Sequence, residues 1–161
     1  MSAPHPERAE IDVLADRWVA AWAGEGRFAE LCTAGVSYED PLMQVPLSGP
    51  AAIDERAARL RAAFPDVRVE RTAPALQRAG HACFAWKASG VQSGDIAALP
   101  ATDREVTLHG LHYVELTDGR VHRARGFFDL YDGAVQLGLL PRKGGLGEAA
   151  LLLVRGFGLR R

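Results

Sequence analysis

Ile11, Leu14, Ala15, Trp18, Val19 and Trp22 recur at the three- and four-residue spacing of one helix face, and the pattern stops at Gly24 and Gly26. Phe28 and Leu31 continue it as a short second helix ended near Gly35. Val36 to Asp40 reads as extended, and Pro41 confines Asp40 to β or polyproline geometry. Ser48-Gly49-Pro50 places a proline at the first position of a third helix, lined by Ile53, Ala57, Leu60 and Phe64 and ended by Pro65. Beyond Pro65 the helical period is lost. Val67 to Thr72, the stretch from about Ala75 to Ala79, and His81 to Ser89 read as strands, with Val67 and Val69 alternating against charged neighbours. Gly90 to Thr102, with Gly94 and Pro100, is irregular.

The segment from His109 to Pro141 then reads as two strands joined at Asp118-Gly119, with Asp129 at the end of the second. Asp-Gly between two extended apolar runs is a strong hairpin signal. Helices first and a meandering sheet second predict an α+β domain over residues 1–141. The expected architecture is a cone-shaped, curved antiparallel sheet packed on the N-terminal helices, with an apolar pocket inside. Residues 142–161 form a tail hinged at Gly144-Gly145, short, apolar and basic at its end. It is expected to be helical and docked on the domain or on a second subunit, since one short basic helix is a poor membrane anchor.

At 161 residues the chain suits one domain with a real core. Its 19 lysines and arginines against 20 aspartates and glutamates leave no basic field for nucleic acid or an anionic membrane surface. Cys32 and Cys83 are isolated and fit no metal spacing, so no metal is expected and a reducing compartment is. The N-terminus carries acids where an export signal needs an apolar core, and no apolar run approaches the roughly 20 residues of a membrane helix. The expected setting is cytoplasmic, away from nucleic acid and membrane.

Chemistry gathers near the hairpin. Asp129 is flanked by Phe127, Phe128 and Leu130, the apolar setting in which a carboxyl can serve as a general acid or base; it is equally placed to cap the helix that follows. His112, on a strand face with Val114 and Leu116, is a core histidine or an assisting catalytic group, whereas His109 faces the other way. Asp40, beside Tyr38 and Leu42, is a turn residue or a pocket residue. Arg125 shares a strand face with Phe127 and Asp129, for a structural ion pair or for an anionic substrate oxygen. Trp18, Trp22 and Trp86 are core residues or the walls of an aromatic pocket.

Taken together these pieces resemble the nuclear-transport-factor-2-like superfamily and, within it, the SnoaL-like polyketide cyclases. The residues that carry the resemblance, within Ile11 to Pro141, are the Asp40-Pro41 corner, Gly49-Pro50, Phe64-Pro65-Asp66, Pro100-x-Thr102-x-Arg104 and Asp129-x6-Gln136-Leu137-Gly138. The resemblance implies a cone-shaped α+β barrel, a homodimer, and a pocket for flat apolar molecules that uses no cofactor. It implies that Asp129 is the acid/base of an intramolecular aldol closure, that His112 assists, and that Asp40 is a polar pocket residue. Asp40 also falls where the related ketosteroid isomerases keep their proton-shuttling acid. The tyrosine and protonated acid that hold the enolate oxygen in those isomerases fall here at Trp18 and near Leu111. Steroid isomerase activity is therefore disfavoured, although the Trp18 indole N–H can still donate one hydrogen bond.

The leading expectation is a cofactor-independent enzyme performing acid/base chemistry on a bulky apolar carbonyl compound, most like an aldol-type polyketide cyclase. Asp129, His112 and Asp40 would be catalytic, and Trp18, Tyr38, Arg125 and Phe127 would line the substrate pocket. Alternatives are a ketosteroid-isomerase-like isomerase, an epoxide hydrolase built from Asp40, Asp129 and Arg125, or a small-molecule-binding module without catalysis.

Overall fold

The computed structural model describes residues 6–155. Helix α1 (Pro6–Ala23) is followed by a 3₁₀ turn at Phe28–Glu30 and strand β1 (Cys32–Glu39). The short strand β2 (Leu47–Ser48) leads into α2 (Pro50–Ala63). Strands β3 (Arg68–Arg71), β4 (Leu76–Arg78), β5 (His81–Gln92), β6 (Arg104–Thr117) and β7 (Arg120–Phe128) complete the sheet, followed by α3 (Leu130–Gln136) and α4 (Leu146–Val154).

The sheet order is β2-β1-β7-β6-β5-β3, with β4 also paired to β5. Its spine is the long antiparallel pairing of β5 with β6, running in register from His81 opposite Glu115 to Gln92 opposite Arg104. The β6–β7 hairpin turns at Asp118 (φ 49°) and Gly119 (φ 73°), two consecutive left-handed residues that match the natural twist of a hairpin. One expectation is corrected: the sheet is mixed, because β1 runs parallel to β7. Strand β1 precedes α2 and the other long strands, and that intervening chain makes the crossover a parallel pair requires.

Other boundaries shift in ways packing explains. The second helix shortens to a single 3₁₀ turn, and Cys32 already belongs to β1. The irregular stretch contracts to residues 93–103, because β5 extends to Gln92. The fully buried Gln92 amide donates to the carbonyls of Gly94 and Pro100 and accepts from the Thr102 N–H and hydroxyl, which ties that loop down.

The core lies between α1, α2 and the concave side of the sheet. Ile11, Ala15, Trp18 and Trp22 face it from α1, Ile53 and Ala57 from α2, and Ala82, Phe84, Val114, Val121 and Ala124 from the strands. The expected α1 stripe and the alternation of the strands are both realised there. No residue of α4 is buried, and Leu146 is 92% exposed. The tail helix therefore does not dock on this chain's own domain, and its last residues, 156–161, lie outside the described residues.

Phe28→Ala should lower unfolding stability by about 3–5 kcal/mol, because it empties a fully buried site against two indoles, whereas Leu146→Ala should stay within about 0.5 kcal/mol. Urea denaturation of both variants checks the contrast; equal effects would contradict this placement of core and tail.

Candidate active site

His112 projects from β6 into the core and is 5% exposed. Trp22 stacks on its imidazole at 5.6 Å and 4°, and Trp18 meets it edge-on at 5.7 Å. Trp86 and Tyr38 follow at 5.4 and 6.0 Å. Trp86 lies flat on Gly110, where any Cβ would collide with its ring. Trp18 and Tyr38, named from the sequence as pocket residues, are thus buried among packed aromatic rings. His112 Nδ1 and the indole nitrogens of Trp18, Trp22 and Trp86 have no hydrogen-bond partner among the described residues.

Polar groups meet at one edge of this box. The Tyr38 hydroxyl lies 3.5 Å from His112 Nε2 and 3.3 Å from Asp40 Oδ2. Pro41 ends the strand, so the chain turns at Asp40, whose Oδ1 accepts the Leu42 N–H at 2.8 Å. Arg56, on α2, clamps the same carboxylate, with Nε 3.2 Å from Oδ2 and Nη2 3.1 and 2.9 Å from Oδ1 and Oδ2. The Asp40 side chain is only 4% exposed. Gly126, which pairs with His112 across the β6–β7 ladder, sits against all three groups. A Cβ there would stand 3.0 Å from the Tyr38 oxygen, 3.3 Å from Asp40 Cβ and 3.4 Å from His112 Nε2.

An open cavity of about 350 Å³ reaches this point, lined by Asp40, Met43, Val45, Arg125, Gly126 and Phe127 among others. Asp40, Arg125 and Phe127, named from the sequence, thus line one cavity, while Tyr38 and His112 stand behind its Gly126 wall. Arg125 pairs with Glu39, which also faces the cavity, and Phe127 is 51% exposed. A second cavity of similar volume, between α1 and β3, contains none of the catalytic or pocket residues named from the sequence.

Asp129 is not brought to this site. It is exposed, lies three residues beyond Gly126, and caps α3 by accepting the Asp132 N–H at 2.9 Å. β7 ends before Asp129, its carboxylate turns to the helix start, and it is not among the residues that line this cavity. Gln136, at the other end of the same motif, exchanges two 2.8 Å hydrogen bonds with the backbone of Thr107 and docks α3 on β6. His109 lies exposed, one residue out of phase with Gly110. Among the described residues no group of three or more His, Cys, Asp or Glu side chains is placed to hold a metal ion.

Arg56 and Gly126 were not singled out in the sequence. Arg56 is one of several arginines on α2, with nothing local to separate it from Arg59 or Arg61. Gly126 is a strand glycine, which signals close approach of another group, and that was the available clue.

A curled sheet over helices, with a polar cluster at the open end, defines a nuclear-transport-factor-2-like α+β protein. The SnoaL-like polyketide cyclase pattern matches residues 12–137, and the chain belongs to that family. A protein described as a SnoaL-like polyketide cyclase, from Jannaschia sp. CCS1, superposes with a TM-score of 0.74 at 18% identity, covering 88% of this chain and all of its own. AclR of Streptomyces galilaeus, described as a hydroxylase, gives 0.70 at 19% identity over 92% of this chain and 94% of its own. IdmH of Streptomyces antibioticus, described as a polyketide cyclase, gives 0.64 at 18% identity over 83% and 99%. No curated protein matches the chain.

Burial holds the His112 imidazole down to about 3, against its ordinary 6.5. Burial, reinforced by the Asp40 charge, raises Tyr38 well above its ordinary 10, so its phenol stays protonated and able to donate. The first of these carries a stability consequence. Between about 6.5 and 3 the unfolded chain binds a proton at His112 that the folded chain refuses, so this contribution is fully present above 6.5 and lost as pH falls. Wild type should lose stability on acidification from pH 6.5 faster than His112→Phe, measured as urea midpoints across that window. Parallel curves would show that His112 is not held neutral.

Proposed function

We propose that this protein is an acid/base enzyme acting, without a cofactor, on a bulky apolar carbonyl compound, in the manner of an aldol-type polyketide cyclase. The observation that carries the reading is the meeting of Asp40, Tyr38 and His112 at Gly126, where Asp40 and Gly126 line an open cavity with Met43, Val45 and Phe127. Enolisation needs a base for a carbon-bound proton and donors for the growing oxyanion. Asp40 is the base in this reading, and His112 and Tyr38 form the polar wall toward the oxygen. The enolate carbon then attacks a second carbonyl of the same molecule, and the proton returns to the new alkoxide. A cavity of about 350 Å³ suits a flat, ring-sized ligand.

Asp129 remains the competing base, because the family resemblance points to it. Asp40→Asn should lower kcat by about 10²–10⁴-fold on a cyclisable polyketone, while Asp129→Asn, which keeps the helix cap, should change it less than about tenfold. The reverse order would return the base to Asp129. Unchanged rates in both would favour a binding module. The epoxide hydrolase alternative has less support, since Arg125 is engaged by Glu39 and Asp129 caps α3.

We also propose a homodimer through the convex face of β5, β6 and β7, where Leu111 and Tyr113 are only half-buried. Such a face needs cover in a mixed sheet whose other side packs on helices. Sedimentation equilibrium at micromolar concentration should give twice the chain mass; a stable monomer would refute it.

A further inference from the structure

The hydrogen-bond chain that starts at Arg56 has only one consistent arrangement of protons. Arg56 and the Leu42 N–H together direct four hydrogen bonds at Asp40, so its carboxylate is an acceptor and nothing else. The Tyr38 oxygen is 3.3 Å from Asp40 Oδ2. Were the phenol proton turned elsewhere, lone pairs would face an anion, so that proton points at Asp40. The Tyr38 oxygen then has only lone pairs to offer its other neighbour, His112 Nε2, at 3.5 Å. A hydrogen on Nε2 satisfies that contact and leaves Nδ1 as a bare lone pair among the indoles. The opposite tautomer would set two lone pairs against each other at Nε2. It would also bury the Nδ1–H as a donor with no acceptor among the described residues, the costlier kind of orphan.

We infer that the Arg56–Asp40–Tyr38 chain locks His112 as the neutral Nε2–H tautomer, and that this N–H, only loosely held by the Tyr38 oxygen at 3.5 Å, is the donor shared with the substrate's carbonyl oxygen. Arg56 and Tyr38 are positioning residues for it. The substrate-facing role rests on the function proposed above; the tautomer does not. Gly126 keeps the space beside this N–H free of a side chain, since a Cβ there would stand 3.4 Å from Nε2. Burial agrees, because it keeps the ring uncharged through the neutral range. His112 so held cannot accept a proton at Nε2, and the base of the reaction is then a carboxylate.

Imidazole proton–nitrogen correlation spectra of the full, nitrogen-15-labelled chain test this, with the His112 signals assigned by their loss in His112→Phe. Wild type should show protonated Nε2 and bare Nδ1, unchanged from about pH 8 to about pH 5, a range in which an ordinary histidine titrates. Tyr38→Phe keeps the ring and removes the hydroxyl, so the single tautomer should give way to a mixture. Protonated Nδ1 in wild type, titration near the ordinary value, or no change in Tyr38→Phe would each overturn the assignment, and the wild-type spectrum alone decides if Tyr38→Phe does not fold. If the tautomer is as assigned but His112→Phe cyclises a polyketone at the wild-type rate, the donor role falls while the tautomer stands.

Discussion

Trp18 stands where α1 meets the sheet, fully buried, edge-on to Phe28 at 5.0 Å, 6.5 Å from Phe84 and 5.7 Å from His112. One indole thereby joins the first helix, the 3₁₀ turn and the two central strands. Burying an aromatic side chain removes about 150–250 Å² from water, worth roughly 4–6 kcal/mol at about 25 cal/mol per Å². That is a large share of a small domain's net stability. The same wedge fills the hollow of the sheet with Trp22 and Trp86, which moves the accessible cavity out to the open end. The position of the site follows from the packing of the core.

A polar chain is set against this apolar interior, and its ends are unequal. At the outer end Asp40 and Arg56 satisfy one another in a partly buried pair with bidentate geometry. At the inner end His112 has one long contact and a nitrogen with no hydrogen-bond partner among the described residues. A hydrophobic residue in its place would remove a buried polar group and its desolvation penalty. Its presence there, in reach of the Gly126 gap, is the kind of local inconsistency that functional sites tolerate and cores otherwise avoid.

The motif that most strongly marks the family in the sequence plays a structural part here. Asp129 starts α3 and Gln136 fastens it to β6 by imitating a strand partner at Thr107. The polar groups that meet at Gly126 come instead from the end of β1, from α2 and from β6, far apart in the chain.

The α1 stripe, the proline-started α2, the Asp118-Gly119 hairpin and the order of helices before strands were all legible in the chain, because each rests on a local periodicity or on backbone chemistry within a few residues. His112, Asp40 and Tyr38 could be named as candidates for the same reason: polar groups in apolar settings stand out. Their partners could not. Arg56 meets Asp40 only because α2 crosses the end of β1, and Gly126 meets His112 only through the register of β6 with β7. The parallel placement of β1 beside β7 was equally out of reach, since it depends on which strand edge is free once the hairpins have formed. Local chemistry determined the elements, the suspects and the Asp129 cap; long-range packing decided that Asp40, Tyr38 and His112 meet at Gly126, beside the cavity.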